Sequence, residues 1–250
     1  MARATGHGGR DYPDYIQATT PHQNPIEITL AELAVRMGFP HVFERTGNVL
    51  FYETYQYGIS DWFPSGSHAS NYPVLASHGL LNSPYSCKLQ IAVSGAAYSQ
   101  IAKDVAYPYL TTYGFELAFR PLSEFGTLLL GYQVYTGTQR ISVWARYNDV
   151  ENKWYIYDEN GTFQEIATYP MGTWDISVWH PVKVVVDLDN LKYARFSYDA
   201  NDISLSSYGL EVVASAVTPR LTIGVSIGQV GTELSSMYID NVILTINEPI

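Results

Sequence analysis

The chain has 250 residues, 46% of them hydrophobic, which is enough to bury a full core and sets disorder aside. Its formal net charge of −10, with no basic run, disfavours nucleic-acid phosphates, and no apolar run approaches the ~18 residues of a membrane span. Charged residues make up only 15%, so 21 tyrosines and five tryptophans carry much of the polar surface, as at wet interfaces and sugar-binding platforms.

Residues 1–27 form an extended arm rich in Gly, Pro, Asp and Thr, without the apolar stretch of a secretory leader. Residues 28–47 read as a short helix and a hairpin lead-in. Thr29 and Glu32 make a capping box, Leu30, Leu33, Ala34 and Met37 share one face, and Gly38 ends the helix. His41–Glu44 and Val49–Glu53 flank a turn.

From residue 48 to 250 the pattern is strands throughout. Runs are expected at 86–93, 113–120, 127–134, 140–147, 153–158, 162–168, 182–188, 193–198, 218–228 and 236–246, with Asn160-Gly161 as a hairpin turn. Ten or more strands without a second convincing helix predict an all-β, two-sheet antiparallel sandwich. Cys87 has no partner for an intrachain disulfide, and it lies in an alternating apolar stretch as a small buried residue.

Several segments resemble the concanavalin A-like, laminin-G-like jelly-roll superfamily. Leu50–Trp62 is similar to its opening strand and Met237–Leu244, with Ile239-Asp240-Asn241-Val242, to its closing strand. Asn82–Leu89 and Trp179–Asp189 resemble intermediate strands, so the likeness covers about residues 48–247. It implies a jelly-roll fold and, between first and last strands, a structural calcium ion on acids such as Glu53 and Asp240. Gln56 replaces a second acid in the opening motif, and Glu53 and Asp240 could equally hydrogen-bond to backbone or Lys88. The arm and helix resemble those of tailed-virus (phage) structural proteins.

Catalytic patterns are weak. The Glu-x-Asp-x-Glu cluster of glycosidases on this fold is missing, and His7, His22, His41, His68, His78 and His180 lack ligand spacing. Asp187 and Asp189 would stand about 6.6 Å apart on a strand, near the ~6.5–9.5 Å carboxyl separation of inverting glycosidases. Asp189-Asn190-Leu191-Lys192, however, reads as the turn between two strands.

A polar-aromatic patch is the more specific signal. Ser142, Trp144 and Arg146 share one strand face, opposite Ile141, Val143 and Ala145. Pairing of Tyr147 with Trp154 would set Tyr155 opposite Arg146 and Tyr157 opposite Trp144. A slip of one residue would bring Trp154 and Ile156 there instead. Trp144, Arg146, Tyr155 and Tyr157 are therefore candidate carbohydrate-binding residues, or else they pack against a neighbouring subunit or the helix.

Two functional readings follow. The first is a non-enzymatic virion structural protein, a capsid or tail accessory assembled in the host cytoplasm. It would form a homo-oligomer, or join other virion proteins, through residues 1–40 and its aromatic jelly-roll faces. The second is a carbohydrate-binding, lectin-like module for glycan or host-surface attachment. A glycoside hydrolase ranks third.

Overall fold

The computed structural model describes residues 47–79, 84–92, 97–105, 109–123, 125–170, 178–199, 201–229 and 235–250. The expected arm, the helix at 29–38 and the strand at 41–44 lie outside them. Sixteen strands occur among the described residues. In chain order they are β1 (Asn48–Glu53), β2 (Phe63–Gly66), β3 (Val74–Ala76), β4 (Ser86–Ile91), β5 (Tyr98–Val105), β6 (Thr112–Pro121), β7 (Thr127–Tyr135) and β8 (Gln139–Asn148). The second half holds β9 (Lys153–Tyr157), β10 (Phe163–Thr168), β11 (His180–Asp187), β12 (Lys192–Tyr198), β13 (Asn201–Ser204), β14 (Glu211–Ala214), β15 (Arg220–Gly228) and β16 (Ser235–Ile246).

They form two antiparallel sheets of eight strands. One runs β13-β12-β11-β6-β16-β4-β3, with β1 also paired to β16; the other runs β10-β9-β8-β7-β15-β5-β2, with β14 also paired to β8. The expected two-sheet sandwich is what forms. Period-two alternation directs each sheet's apolar face inward. Val182, Val184 and Val186 of one sheet thus share a core with Leu128, Leu130, Ile223 and Val225 of the other. Trp154 is wholly buried, its ring 4.8 Å from Phe196 and 5.1 Å from Tyr147. Cys87 is buried too, and burial pushes its thiol pKa up, as suits an inert core residue.

The opening and closing strands lie side by side, with Glu53 opposite Val242. Five strands have no counterpart in the sequence expectations: β2, β3, β5, β13 and β14. Four of these are three or four residues long with mostly exposed or half-exposed side chains, so periodicity has little to act on. In β5, Tyr-Ser-Gln-Ile-Ala-Lys-Asp-Val alternates too weakly to stand out.

The outer face of the first sheet carries a buried ion cluster. Lys183 and Glu116 stand opposite each other on β11 and β6. Glu248, past the end of β16, comes within 2.7 Å of the Lys183 Nζ and 3.2 Å of an Arg195 guanidinium nitrogen.

Candidate functional site

The outer face of the second sheet holds a groove of about 220 Å³ lined by Leu129, Gln133, Arg140, Ser142, Trp144, Tyr157, Phe163 and Glu211. Strand alternation produces it. Arg140, Ser142, Trp144 and Arg146 point outward from β8, while Ile141, Val143, Ala145 and Tyr147 are buried in the core.

The register on β8 decides which aromatics join them. Tyr147 pairs with Trp154 and Arg146 with Tyr155, so the one-residue slip does not occur. One step beyond the last pair, Ala145 with Ile156, Trp144 and Tyr157 face each other across the groove. The Asn160-Gly161 turn then brings Phe163 opposite Tyr157, with ring centroids 5.0 Å apart. Asp158 organises that turn. Its carboxylate accepts hydrogen bonds from the backbone N–H groups of Asn160 and Thr162 and from the side chains of Thr162 and Gln164. The Thr162 backbone N–H, foremost among these, pulls the Asp158 pKa down to about 2.

At Trp144 the outer edge of β8 passes from one partner to another. β9 pairs with residues 145–148, whereas β14 pairs with residues 139–142, placing Glu211 opposite Ser142. Between the two partners, Tyr193 reaches through the core from β12. Its hydroxyl accepts from the Trp144 backbone N–H at 3.2 Å and donates to the Tyr157 carbonyl at 2.9 Å. Burial raises the phenol's pKa, which keeps it protonated as a donor.

The Trp144 indole reaches over small neighbours. A methyl placed on Gly131 would stand 3.0 Å from its Cε3, and one on Gly224 would stand 3.5 Å from its Cη2. The ring therefore extends from β8 across β7 to β15, over the space the two glycines leave. The polar groups converge at one end. Arg140 pairs with Glu211 at 3.1 Å, and the Tyr157 hydroxyl donates to the same carboxylate at 3.4 Å. Among the described residues the buried Ser142 hydroxyl at the groove has no hydrogen-bond partner.

Of the four candidate carbohydrate-binding residues, Trp144 and Tyr157 line the groove. Arg146 and Tyr155 stand beside it: the Arg146 guanidinium lies 4.1 Å from the Phe163 ring centre and 4.7 Å from that of Tyr155. This stacking buttresses Phe163. The site residues that went unrecognised are Leu129, Gln133, Arg140, Phe163 and Glu211. Phe163 could be found by counting across the Asn160-Gly161 turn. Glu211 could not, because β14 is a short edge strand whose pairing is tertiary.

Glu53 and Asp240 also come together. Glu53 accepts from the Tyr55 backbone N–H at 2.7 Å and the Trp62 indole N–H at 3.3 Å, while Asp240 accepts from the Asn241 N–H at 2.7 Å. A bulge between Asp240 and Ile243 re-aims this part of β16. Tyr52 senses both acids: burial, then the charges of Asp240 and Glu53, push its pKa up. Calcium takes six to eight oxygens, and among the described residues no three of His, Cys, Asp and Glu converge. Coordination here would draw on backbone carbonyls and on carboxylate oxygens that already accept hydrogen bonds. Asp187 and Asn190 form a turn, as the sequence suggests, with the Asn190 N–H donating to Asp187 at 3.0 Å.

No family model and no curated protein sequence matches the chain. Solved structures do. A sialidase superposes with a TM-score of 0.51 at 11% identity, over 82% of this chain and 19% of that one. A carbohydrate esterase from the Shiga toxin-encoding bacteriophage phi24B gives 0.50 at 12% identity, over 80% of this chain and 99% of the other. The metal-free lectin I-B4 of Griffonia simplicifolia gives 0.45 at 11%, over 79% and 99%. The fold is a jelly-roll sandwich. At these identities the likeness is one of architecture, and the chain spans about a fifth of the sialidase's length.

Proposed function

We propose that this chain is a carbohydrate-binding module whose ligand lies in the groove of the second sheet. The observation that carries this reading is the placing of Trp144 and Tyr157 together in an open groove that also presents the Arg140–Glu211 pair and Gln133. Sugars offer both patterns at once. Their C–H faces pack on aromatic rings, and their hydroxyls both donate and accept hydrogen bonds. The groove supports the second sequence reading; the first rests on residues 1–40 together with aromatic faces that need no groove.

Binding without turnover belongs to the same proposal. Hydrolysis of a glycosidic bond commonly uses two carboxyl groups flanking it. Among the residues lining the groove Glu211 is the one carboxylate, and Arg140 and Tyr157 already engage it.

The test is a glycan array of monosaccharides and oligosaccharides, followed by titration of the best binder into wild type, Trp144→Ala and Trp144→Phe. Loss of a buried aromatic anchor costs ~2 kcal/mol or more, or about thirtyfold in affinity. Trp144→Ala should lose that much and Trp144→Phe less. Unchanged retention by a folded Trp144→Ala protein sinks the site.

A further inference from the structure

The groove does not end at Trp144. Pairing registers place Trp144 beside Gly131, Gly131 beside Gly224, Gly224 beside Ala102, and Ala102 beside Phe63. These residues form one row across β8, β7, β15, β5 and β2, all on the outer face. The Trp144 indole lies over Gly131 and Gly224, so the floor passes from that ring over Ala102 to Phe63. Phe63, at the far edge, is 60% exposed, unusually open for so large an apolar ring.

One bank of this row, a pleat away, is Gln133, Thr222 and Asp104; the other is Arg146, Leu129, Ser226 and Gln100, so polar groups flank the row on both sides. The acids nearby are paired. Asp104 accepts from the Thr222 hydroxyl at 2.6 Å and faces Arg220 at 3.6 Å, while Glu211 faces Arg140 at 3.1 Å.

We infer that the ligand is a linear oligosaccharide lying across the strands, with Trp144 and Phe63 as separate stacking sites. This rests on the carbohydrate-binding reading above and names its substrate class. Neighbouring strands are ~4.8 Å apart, so the four steps from Trp144 to Phe63 cover about 19 Å. One strand step is close to the length of a hexopyranose in an extended chain, so the trough accommodates about four sugars. The indole offers a platform for one sugar face, Ala102 leaves room beside it, and the hydroxyl and amide groups of Gln133, Thr222, Ser226 and Gln100 meet the chain's hydroxyls on both sides.

The experiment uses native gel electrophoresis of the whole chain through arabinoxylan, β-1,4-galactan, glucomannan, mixed-linkage β-glucan and dextran. The polymer that retards the protein then supplies a length series, from one to six sugars, for calorimetric titration. Affinity should climb with length up to about four units. Phe63→Ala should lower affinity for tetrasaccharides and longer chains at least fivefold and leave that for the disaccharide unchanged. Trp144→Ala should lower affinity at every length. If Phe63→Ala binds all lengths as wild type does, or a monosaccharide binds as tightly as a hexasaccharide, the extended trough is wrong while glycan binding at Trp144 stands. If wild type is retarded by none of these polymers and binds nothing on the array, both readings fall.

Discussion

The hydroxyl of Tyr193 crosses the core of the sandwich and accepts a hydrogen bond from the backbone N–H of Trp144 at 3.2 Å. The two residues belong to different sheets and are 49 positions apart. The contact falls where β8 exchanges β9 for β14 and its ladder is interrupted, so a side chain from the opposite sheet supplies the missing partner. The same hydroxyl holds the Tyr157 carbonyl. One buried phenol therefore sets the backbone positions of both aromatics that face each other in the groove.

Tyr193→Phe tests this link. It keeps the ring and strands a buried N–H and C=O, at a cost of about 1–3 kcal/mol. Urea denaturation should show a lowered midpoint with the slope unchanged. Glycan affinity should fall as well, although Tyr193 does not line the groove. Wild-type affinity in a destabilised Tyr193→Phe protein would separate the phenol from the site.

The two glycines under Trp144 should respond differently to alanine. At Gly131, with φ of +150°, a Cβ would stand 2.0 Å from the Val143 carbonyl oxygen, a backbone atom that cannot turn aside. At Gly224 the nearest atom is the Trp144 Cη2 at 3.5 Å, an ordinary contact. Gly131→Ala should therefore lower the melting temperature markedly, and Gly224→Ala should leave it nearly unchanged. Equal melting temperatures for the two variants would contradict the close approach at Gly131.

Asp158 gives the groove an acid limit. A carboxyl whose folded pKa is depressed adds stability that is present above the unfolded value, about 4, and is lost as pH falls through the folded value, here about 2. Wild type should lose melting temperature on going from about pH 4 to about pH 2, and Asp158→Asn should lose less over the same interval. Because this carboxylate shapes the turn between Tyr157 and Phe163, the variant should also bind glycan more weakly at neutral pH. Parallel pH profiles for the two proteins would remove Asp158 from this role.

Glu53 separates calcium from hydrogen bonding at the paired opening and closing strands. Its carboxylate accepts from the Tyr55 N–H and the Trp62 indole, contacts that need no cation. Glu53→Ala should lose about 1–3 kcal/mol in chelator and in millimolar calcium alike, read from denaturation curves. A loss seen only with calcium present would assign Glu53 to a bound ion instead.

Much of this protein was legible in its residues, because β-structure announces itself by alternation. The long central strands, the Asn160-Gly161 hairpin and the inward course of Val182, Val184 and Val186 all follow from period-two patterning. So does the outward face shared by Ser142, Trp144 and Arg146. The choice between Trp154 and Tyr155 as the surface aromatic was not settled by that pattern. Both registers satisfy local propensity, and only the aromatic cluster that receives Trp154 selects one. Glu211, Phe63 and Tyr193 belong wholly to the tertiary level. Glu211 and Phe63 sit on four-residue edge strands whose own hydrophobicity is too slight to read, and Tyr193 acts through a contact between sheets. Sequence determined the strands and their faces, since each depends on residues one or two positions away. Tertiary pairing decided only the wall that holds Glu211: β7, β8, β9 and β10 follow one another in chain order, whereas β14 returns from far along the chain to pair with β8.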